Sequence, residues 1–271
     1  MKNLFLAALI VGNVTGGAAL ADDAETEAAL TELADTFARG FYARDPEMVL
    51  STVHPELSKI GVTENYWGTG IQIIEQLPPG TLQVLGSVYN YNHRLDPVTS
   101  TVGVNFFEST ESMGLLRLTA DQDWYDYFLG THINGEWVFI NCAYGGYSLI
   151  DNPNREADMA LIDDVVSGYA GGWDAGEYAP VIAAMYPDAD RRHVVRGGRR
   201  EYLQPETLEM IEIELEERGV AEQASTVTVF EATQRTGAAR IDAVDRTEWV
   251  LLTKLNDRWQ IVNSYWEPRL G

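Results

Sequence analysis

The segments INGEWVFINCAY (residues 133–144) and LNDRWQIVNSYW (255–266) are two versions of one phrase within a single chain. Extended to residues 127–144 and 249–266 and aligned without gaps, they set Leu129 on Leu251, Thr131 on Thr253, Asn134 on Asn256, Trp137 on Trp259 and Asn141 on Asn263. A second block matches upstream, residues 37–62 over 169–194. Here Phe37 meets Tyr169, Gly40 meets Gly172, Phe41 meets Trp173, Val49 meets Val181 and Pro55 meets Pro187. Two blocks repeating in the same order mean that a whole domain is duplicated. Each copy runs to about 115 residues, an ordinary domain size.

Each copy has the same layout. Leu30, Leu33, Phe37 and Phe41 recur at helical spacing, as do Leu161, Val165, Tyr169 and Trp173, so each copy opens on an amphipathic helix. Asp45-Pro46 supplies an N-cap and a first-turn proline for a short second helix burying Val49, Leu50 and Val53, which His54-Pro55 stops. A third helix shows in the second copy, with Leu208, Ile211 and Leu215 on one face and Gly219 at its end. The remainder reads as antiparallel strands with short polar breaks, and Asn134-Gly135 and Asn256-Asp257 read as tight hairpin turns. Helices followed by a run of strands predict an α+β domain with its helices on one sheet face. The expected division is residues 22–147, a polar linker over 148–157, and 158–271.

The first 21 residues read as a processing signal: Lys2, the apolar run LFLAALIV, then the small-x-small pattern of Ala19, Leu20 and Ala21. Cleavage there predicts export, to a periplasm or beyond. No later apolar stretch is long enough for a membrane span, so the mature protein is expected to be soluble. The formal net charge is -22 and both copies are acidic, which argues against nucleic acid and anionic membranes as partners. Cys142 is the one cysteine. An exported chain with one thiol has no internal disulfide, and its place in an apolar strand reads as an inert buried thiol.

The segments GFYARDPEMVLSTVHPEL and DYFLGTHINGEWVFIN, with EWVLLTKLNDRWQIVN in the second copy, resemble the nuclear transport factor 2-like superfamily. Within it they are most similar to a group of bacterial proteins named for lumazine binding. The front of the second copy is looser, since Tyr-Pro-Asp-Ala stands where the first has His-Pro-Glu-Leu. The resemblance implies two tandem cone-shaped domains, each a curved sheet wrapped over helices, with a pocket between the sheet and the first helix. It also implies a choice of roles, since the superfamily holds ketosteroid isomerase-like and polyketide cyclase-like enzymes beside proteins that only bind or pair.

Motif searches yield no nucleophile elbow, phosphate loop, His-Glu-x-x-His or Cys-x-x-Cys, so no cofactor is expected. His54, His93, His132 and His193 lack metal-ligand spacing, so no metal is expected either. Strand alternation puts Trp137, Phe139 and Asn141 on one face, and Trp259, Ile261 and Asn263 on one face, so Trp137, Asn141, Trp259 and Asn263, with Trp173 of the helix, are candidate ligand contacts. Such an asparagine could orient a ligand, or satisfy a backbone group of a neighbouring strand; the second is favoured. A proton-transfer site would need a carboxylate and a donor in an apolar pocket. Asp126 with Tyr42 and His54 are candidates in the first copy; Glu248 with Tyr169 and Asp174 are candidates in the second. Both acids sit on strands whose second face is expected to meet solvent, so solvated acids are favoured. Arg191, Arg192, Arg196, Arg199 and Arg200 could form an anion site, or balance the acidic helix behind them or the acidic first copy; balance is favoured. Tyr66 and Trp67 lie in a loop and suit a pocket lip or an interface, while Trp173 continues a helical core stripe. The favoured reading is a tandem module binding a small, partly apolar molecule. A proton-transfer enzyme is the alternative. A structural role, the two copies pairing through their sheets within the chain or as a homodimer, is the third.

Overall fold

The computed structural model describes residues 16–64, 71–196, 200–221 and 223–269. In the first copy α1 (Gly16–Ala43) and α2 (Pro46–Leu50) precede β1 (Val53–Glu64), β2 (Gln72–Gln76) and α3 (Pro79–Val88). The strands β3 (Val102–Ser109), β4 (Met113–Ala120), β5 (Trp124–Ile133) and β6 (Glu136–Gly146) follow. After a single 3-10 turn, Tyr147–Leu149, the second copy repeats the series. It contains α4 (Arg155–Ala175), α5 (Tyr178–Ala184), β7 (Met185–Val195), β8 (Tyr202–Glu206) and α6 (Leu208–Arg218). Its last strands are β9 (Thr226–Ala232), β10 (Thr236–Asp242), β11 (Arg246–Leu255) and β12 (Arg258–Pro268). The sheet orders β2-β1-β6-β5-β4-β3 and β8-β7-β12-β11-β10-β9 are the same order twice. The chain is two tandem α+β domains. Each sheet is antiparallel except for one parallel pair, β1 with β6 and β7 with β12.

Local chemistry explains the joints. The Asp45 carboxylate accepts from the Glu47 and Met48 amides at 3.1 and 3.0 Å, with Pro46 opening α2. Val53 already belongs to β1, so the helix is one turn shorter at its end than the sequence pattern suggests. Asn134 and Gly135 have φ of 54 and 89°, and Asn256 and Asp257 have 50 and 61°. Two successive left-handed residues make the primed turn whose twist matches the flanking strands.

One face of each sheet lies on helices. α1 buries Leu30, Ala34, Phe37 and Phe41 there. In α4 the buried stripe is Ile162, Val166, Tyr169 and Trp173, while Leu161 is 47% exposed. Leu161 and Ile162 both fit a four-residue spacing, and the stripe is set one position from the expected one. In α6 Ile211 and Leu215 are buried and Leu208 is exposed.

The other face of each sheet lies on the other copy. Leu115, Tyr127, Leu129 and Ile140 pack with Trp249, Leu251, Val262 and Tyr265 in one core shared by both domains. The contact has pseudo-twofold symmetry. Glu231 takes Arg117 and Tyr127 from the first copy, and Glu108 takes Arg240 and Trp249 from the second. In the middle, Asn141 Nδ2 donates to Asn263 Oδ1 at 2.9 Å, and Asn263 Nδ2 donates to the Cys142 carbonyl at 3.0 Å.

Those asparagines correct the alternation argument. Phe139 pairs with Gly130 but Asn141 pairs with Leu129, leaving Ile140 in a bulge; Ile261 and Asn263 flank Val262 in the same way. One extra residue reverses the parity of all that follows. Phe139 and Ile261 therefore face helices, while Asn141 and Asn263 face the partner sheet.

The repeated glycine marks where the two leading helices of each copy touch. A β-carbon on Gly172 would lie 2.9 Å from Val181 Cγ2 and 3.1 Å from the Glu177 carbonyl oxygen, whereas one on Gly171 would meet nothing within 4 Å. These neighbours therefore carry opposite predictions. Gly171→Ala should raise stability by about 0.5–1 kcal/mol through helix propensity. Gly172→Ala should lower it by about 1–3 kcal/mol through overpacking. Urea denaturation of the two variants measures both.

Candidate functional site

Between the sheet of the first copy and its helices lies a cavity of about 450 Å³. Phe37 and Phe41 of α1, Leu77, Leu82 of α3, Tyr89 and Trp124 form its walls. Phe41, Tyr89 and Trp124 meet edge to face, with centroids 5.6 to 6.5 Å apart. At the mouth, Asp123 holds Arg94 and accepts from the Tyr89 hydroxyl at 3.1 Å.

The floor is polar. Leu57, Lys59 and Gly61 alternate onto the helix-facing side of β1, so Lys59 points inward where a solvent-facing lysine would be usual. Its ammonium donates to Asp126 Oδ1 and to Cys142 Sγ, the latter at 3.3 Å. The Tyr144 ring lies 4.7 Å from Nζ, and the Phe37, Phe128 and Trp124 rings lie 5.5 to 5.8 Å away. Lys59 and Asp126 have side chains only 6% and 1% exposed. Asp126 Oδ2 is buried with no hydrogen-bond partner.

Burial pulls the Lys59 ammonium down, but Asp126 and Cys142 together, through charge and hydrogen bonds, outweigh this and hold it above the ordinary lysine value. Burial pushes the Asp126 carboxyl up, and Lys59 restores only part of the shift. Burial also drives the Cys142 thiol far up, so it stays protonated and unreactive.

The same positions in the second copy are filled. Register makes the equivalence explicit. Lys59 pairs with Cys142 and Arg191 with Ser264, while Asp126 pairs with Tyr144 and Glu248 with Trp266. Arg191 binds Glu206 and sends Nε to Glu248 at 3.1 Å; the Tyr169 hydroxyl donates to Glu248 at 2.8 Å; Arg246 reaches its other oxygen at 3.3 Å. The two guanidinium groups clasp the Trp173 ring at 4.3 and 4.5 Å. Every one of these side chains is nearly or fully buried.

The sequence candidates scatter across these surroundings. Asp126 is at the cavity floor, and Glu248 is in the filled network beside Tyr169. Both acids are buried, against the expectation of solvated ones, because they point to the helix-covered face of their strands, Asp126 beside Lys59 and Glu248 beside Tyr169. Tyr42 is buried but bonds to the Thr101 carbonyl, and half-buried His54 accepts from the Glu56 amide; neither lines the cavity. Asp174 caps Ser225. Trp137 packs edge-on to His132, Trp259 bonds to Asp158 in the second core, and Asn141 and Asn263 join the sheets. None of these four reaches the cavity, which corrects their assignment as ligand contacts. The arginines are no single anion site either. Arg191 is interior, Arg192 binds the Ile140 carbonyl and Asp190, and Arg196 binds the His132 carbonyl and Glu201. Arg200 is exposed. Tyr66, Trp67 and Arg199 lie outside the described residues. Among the described residues no group of three or more metal-ligating side chains forms, and no helix is long and apolar enough to cross a membrane. Lys59 was missed in the sequence. Its signal was its parity with Leu57 in the strand pattern.

Glu248 gives the second copy a pH signature. Burial alone would raise its pKa, but Arg191 and Arg246 overcome this and hold it at about 2, against 4.5 for the free group. A depressed carboxylate contributes stability above its unfolded pKa and loses it as the pH falls toward the folded one. The contribution is about 3 kcal/mol, lost between about pH 4.5 and 2. In urea titrations from pH 7 to 3, Glu248→Gln should be less stable at pH 7, because two buried guanidinium groups lose the carboxylate they share. It should also show a flatter decline below pH 4.5.

No protein-family model and no curated protein matches the chain. Solved structures similar to it are NTF2-like (nuclear transport factor 2-like) and ketosteroid isomerase-like proteins. An NTF2-like protein of unknown function from Shewanella baltica shares 15% identity over 43% of this chain and 97% of its own, with a TM-score of 0.38. Another from Methylobacillus flagellatus shares 21% over 42% and 94%, with a TM-score of 0.37. A ketosteroid isomerase-like protein from Erwinia carotovora shares 15% over 42% and 98%, with a TM-score of 0.32.

Proposed function

We propose that the chain is an exported binding protein that holds one small, partly apolar molecule in its first copy, while the second copy serves as a support. The observation that carries this is the contrast between equivalent positions. In the first copy they leave a cavity of about 450 Å³ over a buried polar floor, within the usual size range of ligand sites. In the second, larger side chains and two arginines occupy them. Export is supported by the reading of the first 21 residues. The likeness to the group named for lumazine binding points the same way without naming this ligand.

The bare Asp126 oxygen also favours a second reading, in which it accepts a proton from a carbonyl compound. That carboxylate has Lys59 for a neighbour rather than Tyr42 or His54, so any donor would be the ammonium.

Native mass spectrometry of the gently purified full chain tests the first reading. One non-covalent adduct per chain is expected, lost when Leu85, a further wall residue on α3, is enlarged to fill the cavity in Leu85→Trp, and kept in Trp173→Phe, which alters only the second copy. A clean apo mass in the wild type would sink tight binding. Two interconverting adduct masses would favour turnover.

A further inference from the structure

The floor of the first cavity also bears on what kind of molecule fits. We infer that its ligand is electrically neutral and presents a hydrogen-bond donor and an acceptor side by side, as a carboxamide, a lactam or a hydroxy-ketone does, on an aromatic or alicyclic body. This rests on the reading of the first copy as a binding module.

The two floor groups touch each other, and their unused capacities differ in kind. An ammonium has three protons, of which Asp126 Oδ1 and Cys142 Sγ take two; the third can meet a ligand acceptor. Asp126 Oδ2 can accept and has nothing to accept from, although it is buried at the cavity floor. A buried acceptor left bare carries an uncompensated desolvation cost, so a ligand donor placed there removes a standing penalty. Donor and acceptor must be adjacent because Lys59 and Asp126 are.

Charge argues for neutrality. Lys59 and Asp126 cancel at the floor, and Arg94 and Asp123 cancel at the mouth. The walls between are apolar and aromatic. An ionised ligand would give up its hydration without finding an unpaired opposite charge, which is the costly case of burial. The rings around Nζ also favour a body with flat faces.

A series on one body tests this. Binding of naphthalene, 2-naphthol, 2-naphthamide and 2-naphthoate to the wild-type chain at pH 7 can be followed by quenching of tryptophan fluorescence or by calorimetry. 2-Naphthamide should bind about tenfold or more tighter than naphthalene and 2-naphthoate, with 2-naphthol between, since a satisfied polar pair is worth at least about 1.4 kcal/mol there. In Asp126→Asn the advantage of the amide should fall below about threefold, with naphthalene unaffected. Tightest binding by 2-naphthoate would overturn the inference and leave the binding reading intact, since the floor would then be acting as a cation. Equal binding of naphthalene and 2-naphthamide would overturn the role of the floor pair. If none of the four bound, the binding reading itself would fall.

Discussion

A six-stranded sheet has two faces, and the helices of one copy cover only one of them. How the second face is hidden decides the remainder of the architecture. In this chain it is hidden by a second sheet from the same polypeptide, in a shared core with Asn141 and Asn263 at its centre. Buried amides seek partners, and here one amide donates to the other, which in turn donates to a strand carbonyl; this fixes how the sheets meet more strictly than apolar contact could. Two copies in one chain are thus a solution to a surface problem before they are anything else.

The contact reaches the cavity through the backbone. Asn263 of the second copy donates to the carbonyl of Cys142, and Lys59 sits opposite Cys142 in the parallel pairing of β1 and β6. The bulge at Ile140 lets one strand serve both cores. Before it Phe139 faces the helices, and beyond it the interface residues Asn141 and Ala143 alternate with inward-facing Cys142 and Tyr144. Polar groups on the helix side are then held by strands whose other side is clamped. A buried ammonium-carboxylate pair needs such a rigid frame, because its attraction outweighs desolvation only in good geometry.

Much of this was legible in the residues. The repeat, the cap at Asp45, the primed turns at Asn134 and Asn256 and the helix stripe of Phe37 and Phe41 are local chemistry, and local chemistry shows in sequence. The site was far less legible. Strict alternation places Asn141 beside Phe139, and nothing in FINCAY announces the extra residue that separates them. Lys59 reads as a solvated lysine, because burying it makes sense only once Asp126, sixty-seven residues away, is known to face it. Asp126 and Glu248 look like acids on half-exposed strands until their parity turns them toward the helices, where Lys59 meets one and Arg191 and Arg246 the other.

Fusion of the two copies has a further consequence. In a dimer of identical chains, each substitution appears twice, so a residue that plugs one cavity plugs both. In a tandem chain the symmetry of the contact survives, with Glu108 and Glu231 still playing the same part, while the two interiors answer to separate codons. Trp173 with its flanking guanidinium groups can turn one interior into solid filling while the other stays hollow. The pairing is shared, but the cavities are free to diverge.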